Sequence, residues 1–366
     1  MAVVFRRTAS LLATFLGLCT IGLAQDWDRA VSLFNQKQYR PAIREFHAVL
    51  KANQDAWRSW YYIGASHFQL QSYEDCIDAF QNYIKAATES DKTKPSPDND
   101  KAKAAGYYYV GFSYYQLKQY DKAIPALTTY LSLSDKIQEK VDPTARAALG
   151  RAYIFSNRYA EAVPVLTTAA GEMKTNATNY YYIGYAHQKL GRTDLATKAL
   201  NQALALDPKD ADSLSLLCEI YLSQSRQTPA AAKQAEAIGE RLMAVNNDER
   251  AWGLLGQAYL VDQQYAKAAP LLDKYSHAHP DSANAWFNFG LALSRSSQWK
   301  PAADALEQAV KLTPNSVSAL LEMGYVYESD KQYDKALSAY QRAFDASGKK
   351  DETAKAGIER VKQSKT

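Results

Sequence analysis

Apolar side chains recur along this chain at helical spacing, and they come in couplets. Around residue 260, Leu255 and Tyr259 share one face of a first segment, and Tyr265, Ala268 and Leu272 share one face of a second. Polar residues separate the two, so the pattern predicts a pair of amphipathic helices joined by a short turn. The couplet returns throughout. WYYIGASHFQLQSYEDCIDAF from Trp60, YYYVGFSYYQLKQYDKAIPAL from Tyr107 and YYYIGYAHQKLGRTDLATKAL from Tyr180 repeat one design. Ala30, Gly64, Gly111, Gly150, Gly184, Cys218, Gly256, Gly290 and Gly324 mark a common register, with 34 residues from Gly150 to Gly184. Nine residues after most anchors stands a bulky aromatic, such as Tyr39, Tyr73, Tyr120, Tyr265 or Trp299, and three further on a small residue, such as Ala42, Cys76, Ala123 or Ala268. A small anchor lets the first helix approach the second; a large one would cost about 1–3 kcal/mol by overpacking. Pro208, Pro280 and Pro314 follow second helices, where a residue without an N–H stops the helix from continuing.

The spacing resembles the tetratricopeptide repeat family, whose signature is an aromatic, Leu-Gly, Tyr, and later Ala, Phe and Pro. Trp252, Leu255, Gly256, Tyr259, Tyr265, Ala268, Leu272 and Pro280 carry it most plainly. The match extends over nine repeats, at about 25–56, 57–90, 104–137, 143–176, 177–210, 211–248, 249–282, 283–316 and 317–350. The resemblance implies an all-α fold, an α-α superhelix of antiparallel helix pairs that serves as a protein-interaction surface. One pair cannot bury its apolar face alone, so stability is expected from stacked neighbours. Three departures stand out. ESDKTKPSPDND, residues 89–100, reads as an exposed polar loop between repeats two and three. Repeat six has Cys218 at the glycine position and a lengthened turn, which places any hinge there. Residues 351–366 form a charged C-terminal tail with helical character, suited to capping the array.

The first seven residues, MAVVFRR, carry two arginines, Arg6 and Arg7, and are followed by the uncharged stretch Thr8 to Ala24. That order is a secretory signal peptide, with Gly22 and Ala24 supplying the small side chains for cleavage after Ala24. The alternative is an uncleaved membrane anchor, since the apolar stretch is at the lower limit of a spanning helix. Cys19 raises a lipoprotein reading, which the bulky Leu18 before it disfavours. Export to the periplasm or the medium is therefore expected. The formal charge of +4 falls to +2 without Arg6 and Arg7, which gives nucleic acid no support. Cys76 and Cys218, four repeats apart on packing positions, read as small buried apolar residues rather than a bridge.

Composition adds one departure, 26 Tyr against 11 Phe and 16 Gly. The repeat register assigns seventeen tyrosines to packing positions and leaves nine on first helices: Tyr61, Tyr62, Tyr108, Tyr109, Tyr115, Tyr181, Tyr182, Tyr185 and Tyr325. In the family, first helices line the concave groove, and the residues one and five after the opening aromatic point into it. Here the resemblance implies a partner-binding groove of Tyr61, Tyr108, Phe112, Tyr115, Arg151, Tyr181, Tyr185 and Phe287. Tyr and Arg dominate binding hot spots because they bury area and keep a polar handle. For Tyr62, Tyr109 and Tyr182, packing against the adjacent repeat is an equal alternative. The Lys and Asn set with which chaperone-binding members hold a C-terminal carboxylate is missing, since Trp27, Val31, Tyr62, Gly253, Asn288 and Glu322 occupy the positions compared.

No HExxH, GxSxG, P-loop or GxGxxG motif occurs. His67 and His187 fall on a packing position, and His277 and His279 lie at a helix end. No catalytic residue, metal or cofactor is expected. Asn176-Ala-Thr is a glycosylation acceptor pattern that matters only in a eukaryotic host. The expected function is a non-enzymatic interaction scaffold or adaptor of the cell envelope within a multiprotein complex, without a membrane span after cleavage. The alternative is a carrier that holds a small ligand or peptide for an envelope transporter.

Overall fold

The computed structural model describes residues 21–53 and 56–364, with side chains from Asp26 onward. Among them all regular structure is helical. The expected signal segment, residues 1–24, lies outside the described residues except for the helical backbone from Ile21. The chain divides into two compact units, residues 1–175 and 176–366. The first unit stacks four antiparallel helix pairs: α1 (Ile21–Asn35) with α2 (Tyr39–Ala52), α3 (Ser59–Gln69) with α4 (Tyr73–Thr93), α5 (Pro97–Gln116) with α6 (Tyr120–Lys136), and α7 (Pro143–Phe155) with α8 (Tyr159–Glu172). The second stacks five: α9 (Ala177–Lys189) with α10 (Thr193–Leu206), α11 (Ala211–Gln224) with α12 (Pro229–Val245), α13 (Glu249–Val261) with α14 (Tyr265–Ala278), α15 (Ala283–Arg295) with α16 (Trp299–Leu312), and α17 (Val317–Ser329) with α18 (Tyr333–Ala346). A final helix, α19 (Glu352–Ser364), packs on α18 and α17.

Outside repeat six, each pair is closed by a small residue opposite a large one. A Cβ on Gly111 would stand 2.7 Å from the δ-carbon of Leu127, and Leu127 is fully buried. Repeat six reverses the sizes: Cys218, fully buried, faces Ala235 with its Sγ 3.4 Å from that residue's carbonyl oxygen. Repeat six lies inside the second unit, where α11 and α12 pack on each other and on α13. The division between the two units falls between residues 175 and 176.

The turn inside each pair has a fixed shape. In eight of the nine, one residue takes a left-handed conformation at the same register: Lys37, Gln71, Lys118, Asn157, Gly191, Gln263, Ser297 and Lys331. At Gln263 the N–H donates to Leu260 O and the next N–H, of Gln264, to Tyr259 O. This double closure satisfies the last carbonyls of the first helix and reverses the chain. Repeat six, with its longer turn, has Ser225 at φ −60° there. Side-chain caps open the first helices of repeats four, six and seven, where Asp142 accepts from Thr144 N, Asp210 from Ser213 N and Asp248 from Ala251 N, whereas α3, preceded by Arg58, has none.

Residues 89–100 are not the polar loop that their composition suggests. α4 runs to Thr93 and α5 starts at Pro97, so the insertion lengthens two packed helices and leaves only 94–96 between them. Helix-start chemistry prevails over turn composition, because Ser96 caps Asp98 N, Pro97 occupies the first turn, and Asp98 and Asp100 favour the positive helix end. The extension is tied by charge. Lys103 Nζ lies 3.0 Å from Asp91 and 2.6 Å from Asp100, which also pairs with Lys136 at 2.7 Å.

At the C-terminal end Tyr340 is held between α17 and α19. A Cβ on Gly324 or on Gly357 would stand 2.7 or 2.8 Å from its ring. Its hydroxyl donates to Glu328, which Arg360 clasps with two bonds of 2.7 Å. The outer positions of α19, Lys355, Glu359 and Lys362, are exposed, so the helix ends the stack with a polar surface.

Candidate partner-binding faces

On the first unit, Tyr108, Phe112 and Tyr115 form one stripe along α5, at i, i+4 and i+7. Tyr108 and Phe112 touch, with ring centroids 4.6 Å apart. Tyr115 meets Tyr120 at 5.6 Å, edge to face. The Arg151 guanidinium of α7 stands 5.8 Å from the Tyr115 ring, and its Nε donates to Ala147 O. No ion pair engages this guanidinium among the described residues. The structure thus brings four of the eight expected residues together: Tyr108, Phe112, Tyr115 and Arg151.

Tyr61 and Tyr108 are more deeply committed to the fold than the groove expectation allows. The Tyr61 ring is surrounded by Tyr62, Phe80, Tyr83 and Tyr109 at 5.4–6.1 Å, and burial raises its hydroxyl pKa. Tyr108 donates a 3.0 Å hydrogen bond to Asp142, the cap of α7, whose own N–H donates to Tyr130. Burial first, then the Asp142 charge, pushes the Tyr108 hydroxyl well above its ordinary range. For Tyr62 and Tyr109 the two alternatives resolve to packing. Tyr62 stacks on Phe46 at 4.8 Å and Tyr109 on Phe80 at 4.5 Å, the same contact one repeat apart.

In the second unit, Tyr181 and Tyr185 lie 6.3 Å apart on α9, with Lys189 Nζ 5.1 Å from the Tyr185 ring. Across from Tyr181, Arg250 of α13 bonds Asp212 of α11 at 2.9 Å. Burial, then Asp212, raises the Tyr181 hydroxyl pKa to about 12. Phe287, on α15, belongs to a different hydrophobic cluster, and later on the same helix Ser294 and Arg295 both bond Glu322. The Arg295 guanidinium stands 5.4 Å from Tyr325, the most exposed of the nine first-helix tyrosines.

Phe155 escaped the sequence reading. It ends α7, is 43% exposed and stacks on Tyr120 at 4.8 Å. Its position, one turn beyond Arg151, was the available signal. The packing tyrosines have their own repeated partner: a lysine eight residues on lies 5.0–5.5 Å over the rings of Tyr114, Tyr259 and Tyr327. The hydroxyls of Tyr259 and Tyr327 donate to Glu240 and Glu307 of the preceding second helix.

His187 is buried, while His277 and His279 face separate carboxylates, Asp273 and Glu249. Among the described residues no group of three or more His, Cys, Asp or Glu could hold a metal ion. No described helix is long and apolar enough to cross a membrane. Cys76 and Cys218 are free and buried, and burial pushes both thiols up to about 12.

Tetratricopeptide repeat models match residues 28–91, 105–133, 145–179 and 177–210. A model described as anaphase-promoting complex, cyclosome, subunit 3 matches residues 262–343. Similar solved structures include YrrB, described as a TPR protein with an unusual peptide-binding site, at 19% identity over 53% of this chain and 97% of its own, with TM-score 0.49. MamA AMB-1 is 27% identical over 46% and 98% of the two chains, with TM-score 0.42. MamA 41-end from Desulfovibrio magneticus RS-1 is 19% identical over 48% and 97%, with TM-score 0.43. No curated protein matches the chain. The repeat models across both units, together with the helix pairs, their small-against-large anchors and their common turn, make this chain a tetratricopeptide repeat protein.

Proposed function

We propose that the chain is an exported adaptor of the cell envelope that holds segments of partner proteins along the first-helix faces of its two units. One observation carries this reading. The stripe Tyr108, Phe112 and Tyr115 ends at Arg151, a partly buried guanidinium set against an aromatic ring and with no ion pair among the described residues. A fold with no use for a partner gains little from leaving such a group unpaired, whereas hot spots are built from tyrosine and arginine. The carrier alternative asks for an enclosed site. Two cavities of the described residues, about 630 Å3 beside Tyr327 and Arg342 and about 580 Å3 beside Tyr120 and Phe155, are open to solvent, and neither has the enclosure a carrier needs.

The test is crosslinking capture from envelope fractions with the native chain and with the double variant Tyr115→Ala, Tyr185→Ala. The native chain is expected to retain a defined partner that the variant loses, with helical signal kept. Equal capture by both overturns the assignment of these faces. Sequencing of the N-terminus after fractionation tests export, with Gln25 as the expected first residue.

A further inference from the structure

A cavity of about 580 Å3 opens where the α5–α6 and α7–α8 turns meet, lined by Lys118, Tyr120, Lys122, Phe155 and Asn157 among others. Rings connect it to Arg151: the guanidinium stands 5.8 Å from Tyr115, Tyr115 5.6 Å from Tyr120, and Tyr120 is stacked on Phe155 at 4.8 Å. Arg151 and Phe155 are also one turn apart on α7, about 6 Å along its axis. They present a cation and an exposed apolar ring side by side. The local charge is positive. Arg151 and Lys118 have no ion-pair partner among the described residues, Lys122 lies over Tyr114, and Arg158 is already neutralised by Glu161. The one carboxylate on the cavity wall, Asp121, accepts from Ser156.

We propose that this corner is a binding subsite for an acidic peptide segment, in which one carboxylate pairs with Arg151 and a large apolar side chain two residues away seats on Phe155 in the cavity. The spacing selects this class. In an extended segment, residues i and i+2 share a side and lie about 6.6 Å apart, which matches the rise from Arg151 to Phe155. A planar guanidinium binds a carboxylate with two parallel bonds, and Tyr115 beneath it removes water from one side of that pair. A polyanion such as nucleic acid or an acidic polysaccharide fits less well, because cations here are single and set among rings rather than in a row. The proposal rests on the adaptor reading above, and the experiment separates the two.

The full chain is panned against a displayed library of short random peptides, beside Arg151→Glu and Phe155→Ser. The native chain is expected to enrich peptides with Asp or Glu two residues from Phe, Tyr, Trp or Leu. Arg151→Glu is expected to replace the acidic preference with a basic one, and Phe155→Ser to keep the acid and lose the apolar residue. For an enriched peptide, Arg151→Ala and Phe155→Ala are each expected to weaken binding at least tenfold, and Arg151→Lys to restore part of it. Phe155 is exposed, so its variants test the subsite without loss of the fold, and circular dichroism confirms it. Identical enrichment by the native chain and Arg151→Glu overturns the subsite and leaves the adaptor reading standing. Absence of any enriched peptide from the native chain counts against both. Displacement of the peptide by heparin as readily as by itself overturns the side-chain pairing in favour of simple charge attraction.

Discussion

The ring of Tyr109 lies flat against that of Phe80, with centroids 4.5 Å apart and planes 5° from parallel. One residue earlier on the same helix, Tyr108 bonds the cap of α7, and six residues later Tyr115 lies under Arg151. Neighbouring tyrosines of a single helix therefore do different work. Tyr109→Ala leaves Phe80 without its stacking partner in a fully buried place and should cost roughly 3–5 kcal/mol of stability. Tyr115→Ala removes a half-buried ring with edge contacts and should cost about 1 kcal/mol. Urea unfolding of the two variants measures the difference, and equal losses would show that the face and the packing layer had been confused.

Gly256 and Gly171 provide a matched pair. A Cβ on Gly256 would stand 2.8 Å from the δ-carbon of Leu272, which is fully buried and cannot yield. A Cβ on Gly171, near the end of α8, meets nothing within 4 Å. Gly256→Ala should destabilise by about 1–3 kcal/mol, because overpacking exceeds the gain in helix propensity. Gly171→Ala should stabilise by about 0.5–1 kcal/mol from propensity alone. Thermal unfolding of both variants, read against the native chain, tests whether contact rather than propensity fixes the anchor.

The common turn carries stored cost. Lys331 sits at φ 60°, where a residue with a Cβ is strained and glycine is not. Gly191 holds the same place in repeat five without that strain. Lys331→Gly should stabilise by about 1 kcal/mol, the size of the left-handed penalty. A lower midpoint in urea would show that the lysine side chain contributes more than its backbone costs.

Much of this was legible in the chain because sterics at one position dictate residue type at another. A helix pair that closes on Leu127 admits only a small residue at position 111, so the anchor series could be read without coordinates. The insertion could not, since KPSPD is equally good turn chemistry and helix-start chemistry. Only the burial of Asn99 and Asp100 against the neighbouring helices decides between them. The candidate face was half legible for a similar reason. Register places Tyr108 and Tyr115 alike on the first helix, but the Asp142 cap that engages one of them lies 34 residues on and belongs to the next repeat. Phe155 ends its helix, where repeat register predicts no packing role and sequence gives no exposure.

Two histidines give the fold a pH dependence. His67 and His187 occupy the register held elsewhere by Tyr114, Tyr259 and Tyr327. Burial holds both below the ordinary histidine range, opposed at His67 by Asp75 and reinforced at His187 by Arg192. The unfolded chain takes up protons as pH falls through about 6.5 and the folded chain does so only at lower pH, so stability declines as pH drops below that value. Changing both residues to tyrosine should flatten that decline in melting temperature. An unchanged slope would place its origin in other groups.

The lengthened helices α4 and α5 are joined by a charge tie. Asp91 and Asp100 hold Lys103 between them, and Asp100 reaches Lys136 as well. Hydrogen bonds from Lys103 hold both carboxyls below their ordinary range, joined by the Ser96 N–H at Asp91 and by Lys136 at Asp100. A depressed folded pKa means that the contribution is complete above the unfolded value, about 4, and is lost as pH falls through the folded ones. The amides of the α5 extension, including buried Asn99 and Ala102, should therefore exchange slowly at neutral pH, as helix amides do and loop amides do not. Asp100→Asn leaves Lys103 with one carboxylate and Lys136 with none, and should speed exchange across 97–106 about tenfold while α16–α18 in the second unit stay unchanged. Exchange of 97–106 at the rate of an open loop in the native chain would overturn the helical assignment, and equal protection in Asp100→Asn would assign the tie to packing rather than to charge.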